Sequence, residues 1–333
     1  MAGSRSEATR RAYAADLRLF FAFRGVDVSP AAVGALCELS TAEMAMALSA
    51  YAESLRGPQN GTDGSNGTDT TIPRTGKGLS PATINRRLAA IRSLLRIARR
   101  FGLTSVDVGG LVDSEKARKY KDTRGPTLVE VAAVMAAVDR STLAGKRDYA
   151  VLRLMWENAL RRGSISAANI EDYDSKARKL SIITKGHARD PRTITLTKSC
   201  TVSIDAYLEA RTGGGVLLAD GTRSAGRRLA NGEPLFANLK NGTGEAQDVE
   251  ARRLRGDGLY YTLRRYGAQA LERKLSPHMM RHSSATAYLD ASGGDTRGAQ
   301  ALTGHVDPRT LQIYDDNRKD LQGAASEAIS KLA

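Results

Sequence analysis

SPHMMRHSSATAYLDASGGDTRGAQALTGHVDPRTLQIYDD, residues 276–316, holds three of the four histidines of this 333-residue chain. His278 and Arg281 stand at i and i+3, so a helix carries both on one face, where they can converge on one small anion. Ser276 and Pro277 supply the cap and first turn of that helix. The run Gln300-Ala-Leu-Thr-Gly-His305 closes a second helical segment at Gly304, which sets His305 at the helix end. Thr310-Leu-Gln-Ile-Tyr314 then returns a phenol towards the same place.

Two upstream stretches add cations: Asn158-Ala-Leu-Arg161-Arg-Gly-Ser and Ile183-Thr-Lys185-Gly-His-Ala-Arg. Together with H-x-x-R at 278–281, G-H at 304–305 and a tyrosine nine positions later, they resemble the motif set of the tyrosine recombinase (phage integrase) family. Arg161 falls on the arginine of that family's T-G-L-R-x-S-E box, and Lys185 on its hairpin lysine with G-x-x-R after it. The motifs cover the C-terminal half of the chain; before it the match rests on pattern.

The resemblance implies a mainly α fold with a small β-sheet: a helical, SAM-like core-binding domain followed by a mixed α/β catalytic domain. It implies a site-specific recombinase that cuts and rejoins double-stranded DNA, working as a homotetramer on two duplexes. Tyr314 would attack phosphorus and leave a covalent 3′-phosphotyrosine, a step that conserves bond energy and needs no metal, ATP or other cofactor. By the same resemblance Arg161 and Arg281 grip the phosphate, Lys185 protonates the leaving oxygen, His278 helps deprotonate the tyrosine and His305 hydrogen-bonds a phosphate oxygen. The residue types suit the chemistry: a free phenol has a pKa near ~10, and two guanidiniums supply both field and bidentate grip.

Plainer readings stand beside these. A single tyrosine in a basic protein is ordinarily structural. His278, His282 and His305 invite a zinc reading, but no Glu adjoins the first and no Cys lies near, and Arg281 between them repels a cation; His282 reads as packing. Arg161 and Arg162 are adjacent and only the family box selects the first. His187, Arg189 and Arg192 can share or replace the role of Lys185. Ser164 stands where the family box commonly has an acidic residue, which leaves three readings: Asp172 substitutes, a water substitutes, or activity is modest.

Fifty Lys+Arg against thirty-six Asp+Glu give a net charge of +14, a balance suited to polyphosphate or an anionic membrane. No run approaches the roughly 20 apolar residues of a spanning helix, and MAGSRSEATRR lacks the apolar centre of a signal peptide. A cytoplasmic, nucleoid-associated protein without membrane contact is expected. Cys37 and Cys200 fit no metal or disulfide framework and read as buried or half-buried thiols.

The chain divides into a helical DNA-binding domain over 1–112 with a polar, flexible insertion at 57–79, a linker over 113–126, and a catalytic domain over 127–333 with a C-terminal helix at 318–332. Helices are expected over 6–24, after the Ser40/Glu43 capping box, and from Ser80-Pro81. The third carries Arg86, Arg87, Arg92, Arg96, Arg99 and Arg100 with no acidic residue among them, so phosphate contact is preferred to a solvated face. Arg10 and Arg11 on the first helix, and Lys119 and Lys121 in the linker, complete the expected DNA-binding set. A Thr127/Glu130 capping box opens a helix through Val138, another runs over 146–160 straight into Arg161, a hairpin joins 180–184 to 193–196, a short strand sits at Pro234-Leu-Phe, and a helix spans 257–274.

Two rivals keep DNA as partner: a type IB-like topoisomerase, and a catalytically decayed DNA-binding protein. A telomere-resolving relative is longer than this chain. The chain starts almost at its first helix, so no arm-site domain is expected. Target sequence and direction of recombination are not encoded in any pattern here.

Overall fold

The computed structural model describes residues 7–57, 78–116, 125–184, 187–213, 229–239, 253–305, 307, 311 and 321–331, with only the backbone of residues 8 and 187–190 and of part of 321–331. The polar segment at 57–79 and the linker therefore lie largely outside the described residues. The chain forms two compact units, Met1–Lys119 and Tyr120–Ala333.

The first unit is helical: α1 (Glu7–Phe23), α2 (Pro30–Cys37), α3 (Thr41–Arg56) and α4 (Pro81–Arg100). Each boundary follows local chemistry. Gly25, at φ +74, turns the chain after α1; Ser29, Ser40 and Ser80 cap the next three, with the full Ser40/Glu43 box at α3. Phe20, Phe21, Leu48, Tyr51, Leu88, Ile91 and Leu95 form the core, each fully buried large side chain contributing about 1.5–3 kcal/mol. Helix α2 was not expected from the sequence, although Ser29-Pro30 repeats the cap of Ser80-Pro81.

The second unit combines α5 (Leu128–Ala136), α6 (Leu143–Glu157), α7 (Arg162–Ala167), α8 (Lys198–Arg211), α9 (Gly256–Leu271), α10 (Pro277–Ala291), α11 (Thr296–Thr303) and α12 (Leu321–Ser330) with a three-stranded antiparallel sheet. The sheet order is β1 (Tyr173–Asp174), β2 (Lys179–Thr184), β3 (His187–Thr195). Leu180 pairs with Ile194 and Ile182 with Arg192, and the register shifts between Ile182 and Thr184. Val151, Leu152, Leu154, Leu180, Ile204, Tyr207, Leu259, Leu263 and Met280 join one core.

The fold is mainly helical with a small sheet, as the motifs imply. Three local expectations change, and one helix is additional. Helix α6 stops at Glu157 instead of running into Arg161, because Ala159 adopts a left-handed conformation at φ 46. Pro234 forms only an isolated bridge to Asn169, not a strand. Helix α9 ends at Leu271, where Glu272 turns left-handed at φ 53. Helix α8, capped by Thr197, fills a stretch left unassigned. Cys37 and Cys200 are both free and buried.

Candidate active site

The site is assembled from chain breaks around α10. Ser276 accepts from Met279 N at 3.3 Å and Pro277 takes the first turn, so α10 begins where His278 and Arg281 share a face. Arg281 is only 3% exposed. Its guanidinium donates to the Ala159 carbonyl, to the Thr303 carbonyl at 2.6 Å and to His305 Nε2 at 3.0 Å. A buried guanidinium held at several points is fixed before any ligand arrives.

The acceptors lie at or beside left-handed residues, Ala159 and Gly304. Ala159 offers its carbonyl because its left-handed conformation breaks the chain between α6 and α7. Two residues on, Arg161 occupies the cap position of α7 in an extended conformation, φ −72 and ψ 143. Its charge reaches His278 and His305, lowering the pKa of both. On the other side, α11 ends in left-handed Gly304, φ 64, which delivers His305 beside Arg281.

Both histidines are disposed to be neutral. Desolvation and then the positive charges of Arg281, Arg161 and His278 push His305 down to about 4. His278 is lowered by partial desolvation of its ring, then by His282, Arg281 and Arg161. A cluster of two guanidiniums with imidazoles that resist protonation is a receptor for an anion. His282 is fully buried, with Nδ1 3.4 Å from Thr286 Oγ1, and serves the packing of α10. Among the described residues, no group of three or more His, Cys, Asp or Glu side chains is placed to hold a metal ion.

The structure thus brings together Arg161, His278, Arg281 and His305. Tyr314 and Lys185 lie outside the described residues, as do Lys119 and Lys121. Ser164, buried on α7, donates to the Ile183 carbonyl at 2.8 Å and ties α7 to the last turn of β2. Asp172, one of the two substitutes weighed for an acidic residue at 164, accepts from Asn169 N at 2.8 Å and caps a 3₁₀ turn, Ile170–Asp172.

The arginine-rich face of α4 also has internal partners. Asp16, 2% exposed, lies 2.5 Å from Arg86 and 4.0 Å from Arg87. Burial raises the Asp16 pKa more than the two arginines lower it. Arg92 donates to the Val112 carbonyl, whereas Arg96 and Arg10 are exposed, and Arg11 pairs with Glu7 at 3.8 Å. Asp16 stands 70 residues before Arg86, which is why the helix read alone looked single-signed. A second buried network also escaped the sequence reading: Asp148 accepts from Arg147 at 2.7 Å and from Arg265 at 2.5 Å.

Comparisons with known proteins identify the family. Residues 127–320 match the Phage integrase family. A tyrosine recombinase of Synechococcus elongatus is 34% identical over 331 residues, covering 98% of this chain and 90% of the relative. A tyrosine recombinase of Synechocystis sp. is 36% identical over 334 residues, covering 98% and 92%. Among solved structures, the XerH site-specific recombinase in a post-cleavage complex with its palindromic difH substrate has a TM-score of 0.60, 18% identity, and coverage of 95% of this chain and 78% of that one; at that identity the likeness concerns fold alone. The chain belongs to the phage integrase family. Within it, this enzyme is a tyrosine recombinase, of the site-specific DNA recombinase kind.

Proposed function

We propose that the chain cuts and rejoins duplex DNA at specific sites through a covalent 3′-phosphotyrosine on Tyr314, without metal or ATP. The observation that carries this reading is the convergence of Arg161, His278, Arg281 and His305, with the pKa of both imidazoles lowered by desolvation first and then by the neighbouring positive charge.

The Tyr314 oxygen attacks phosphorus as its proton leaves with help from His278. The bond from phosphorus to the 5′ oxygen breaks, and that oxygen takes a proton from Lys185. Arg161 and Arg281 stabilise the charge that develops on the non-bridging oxygens, with His305 as a further hydrogen-bond partner. The step reverses when another strand's 5′-hydroxyl attacks the phosphotyrosine, so no external energy is needed. Exchange between two duplexes calls for four protomers, and Ile329, 68% exposed on α12, is an apolar side chain available to a neighbour. Arg10 and Arg96 extend the phosphate contacts in the first unit, and Lys119 and Lys121 belong to the same proposed DNA-binding set. No single helix among the described residues is long and apolar enough to cross a membrane, and the reading places the protein with DNA in the cytoplasm.

The test uses nicked suicide duplexes carrying candidate sites, incubated with the wild type and Tyr314→Phe and resolved on denaturing gels. A covalent protein–DNA band that requires Tyr314 and survives a metal chelator is expected. Equal cleavage on unrelated sequences would favour a topoisomerase, and tight binding with no band on any DNA would favour a decayed binding protein.

A further inference from the structure

Arg192 was legible in sequence only as an understudy for Lys185. The structure gives it other work. It lies on β3, paired with Ile182 of β2, and its guanidinium donates to the Ala301 carbonyl near the end of α11. The same guanidinium packs against Gly304 so closely that a Cβ at that position would collide with it. Gly304 is glycine because of its φ of +64, and the flexible end of Arg192 takes the space that the missing side chain leaves.

The contact closes a loop of tethers. Ser164, three residues after Arg161, holds the β2 end of the hairpin through the Ile183 carbonyl. Arg192 holds the β3 side of that hairpin to the turn that delivers His305. Arg281 then joins this turn, at Thr303 and His305, to Ala159 just before Arg161. Without Arg192, the 301–305 segment keeps Arg281 as a partner across the site but loses this link to the sheet.

We propose that Arg192 is a positioning residue for DNA cleavage, locking the Ala301–His305 turn to the β2–β3 hairpin so that His305 is held at the scissile phosphate. The inference rests on the proposed phosphotyrosine reading. It assigns Arg192 no contact with DNA, which separates it from a phosphate ligand and from a substitute for Lys185. A side chain that fixes geometry from outside the reacting atoms can be worth about a hundredfold in rate through misplacement on the order of 1 Å.

The experiment is single-turnover cleavage of a nicked suicide duplex at saturating DNA, with affinity measured separately, for Arg192→Ala, Arg192→Lys, His305→Ala and the Arg192→Ala/His305→Ala double variant. Cleavage by Arg192→Ala is expected to slow roughly tenfold to a hundredfold with affinity within about twofold, because phosphate contacts, the usual source of affinity, are untouched. Lysine should recover most of the loss, since it keeps a donor for the Ala301 carbonyl. In the His305→Ala background the Arg192 substitution should cost little more, as for two residues acting as one unit. Additive losses, a harmless Arg192→Ala, or a loss that appears as weaker binding with a shallower salt dependence would overturn the proposal.

A second readout does not depend on catalysis. With four histidines in the chain, ¹⁵N spectra of labelled protein are simple enough to follow the His305 ring. Its nitrogen shifts should move in Arg192→Ala and return in Arg192→Lys, and an unmoved ring would count against the proposal. If no Tyr314-dependent product forms with the wild type, the phosphotyrosine reading fails by itself, and the spectra still decide whether Arg192 positions His305.

Discussion

Arg281 Nη2 stands 3.0 Å from His305 Nε2, and this contact fixes where the imidazole keeps its proton. A guanidinium N–H can only donate, so Nε2 accepts. The proton then sits on Nδ1, 3.0 Å from Thr303 Oγ1, whose own hydroxyl donates to the Ala299 carbonyl at 2.7 Å. In the folded protein without DNA, His305 is therefore neutral, with its pKa pushed down to about 4.

That shift has a stability consequence with a definite sign. Folding depresses the pKa of His305 from 6.5 to about 4, so the unfolded chain binds the proton more readily. The contribution is fully present above pH 6.5 and is lost as the pH falls towards 4. His305→Gln should flatten this part of the profile. Urea unfolding at pH 7.0, ~5.5 and ~4.5 checks it, and an unchanged difference between variant and wild type across the series would refute it.

To donate to a phosphate oxygen, Nε2 must gain a proton. An anion between His305 and Arg281 would replace a repelling partner by an attracting one, so the pKa of His305 should rise when DNA occupies the site. Titration of ¹⁵N-histidine-labelled Tyr314→Phe protein with and without target duplex measures this. A value that stays at about 4 in the complex would exclude His305 as a protonated phosphate donor.

Ala159 sits where the family box has glycine, in a left-handed conformation at φ 46, with its carbonyl on Arg281. Relief of left-handed strain, roughly 1–2 kcal/mol, is opposed by glycine's backbone entropy and by loss of a buried methyl. Ala159→Gly should therefore change stability by less than about 1 kcal/mol and preserve cleavage. Ala159→Val forces a β-branched side chain into the same conformation, so it should displace the carbonyl and abolish cleavage. Full activity in the valine variant would show that Arg281 does not need this acceptor.

These particulars show what a sequence exposes and what it hides. The caps at Ser40, Ser80, Thr127 and Ser276 are local chemistry, and the helices they open are where the pattern puts them. The cluster of Arg161, His278, Arg281 and His305 was readable because motif spacing encodes it. By contrast β1, two residues long, is too short to show a period of two. The links from Asp16 to Arg86 and from Arg192 to Ala301 span 70 and 109 positions, so only the folded chain brings those partners together. Ala159 had the same limit, since its backbone conformation leaves no mark in residue type.

The Asp16 pair bears on the proposed contact of the first unit with DNA. Removing the buried carboxylate leaves Arg87, whose side chain is 13% exposed, without its counter-charge, while Arg86, at 45%, can turn to solvent. Asp16→Ala should destabilise the protein by about 1–3 kcal/mol. It also adds one positive charge to that face, so DNA affinity at a temperature where the variant is folded should hold or tighten, with a steeper salt dependence. Weaker binding under those conditions would mean that Asp16 orients Arg86 towards DNA.

Ser164 offers the sharpest separation of structure from chemistry. Its hydroxyl is buried and donates to the Ile183 carbonyl at 2.8 Å, two residues before Lys185. Ser164→Ala removes one neutral hydrogen bond, worth about 1 kcal/mol, and leaves every charge in the site in place. The fold should survive, DNA affinity should be unchanged, and cleavage should slow because the strand leading to the lysine has lost its tether to α7, next to Arg161. The rate loss should concentrate in leaving-group protonation. A nicked substrate with a 5′-bridging phosphorothiolate, whose sulfur leaves without a proton, should therefore restore the variant's rate towards that of the wild type. If the same deficit persists on the phosphorothiolate, Ser164 acts through Arg161 and the phosphate grip, and the hairpin is not the element it controls.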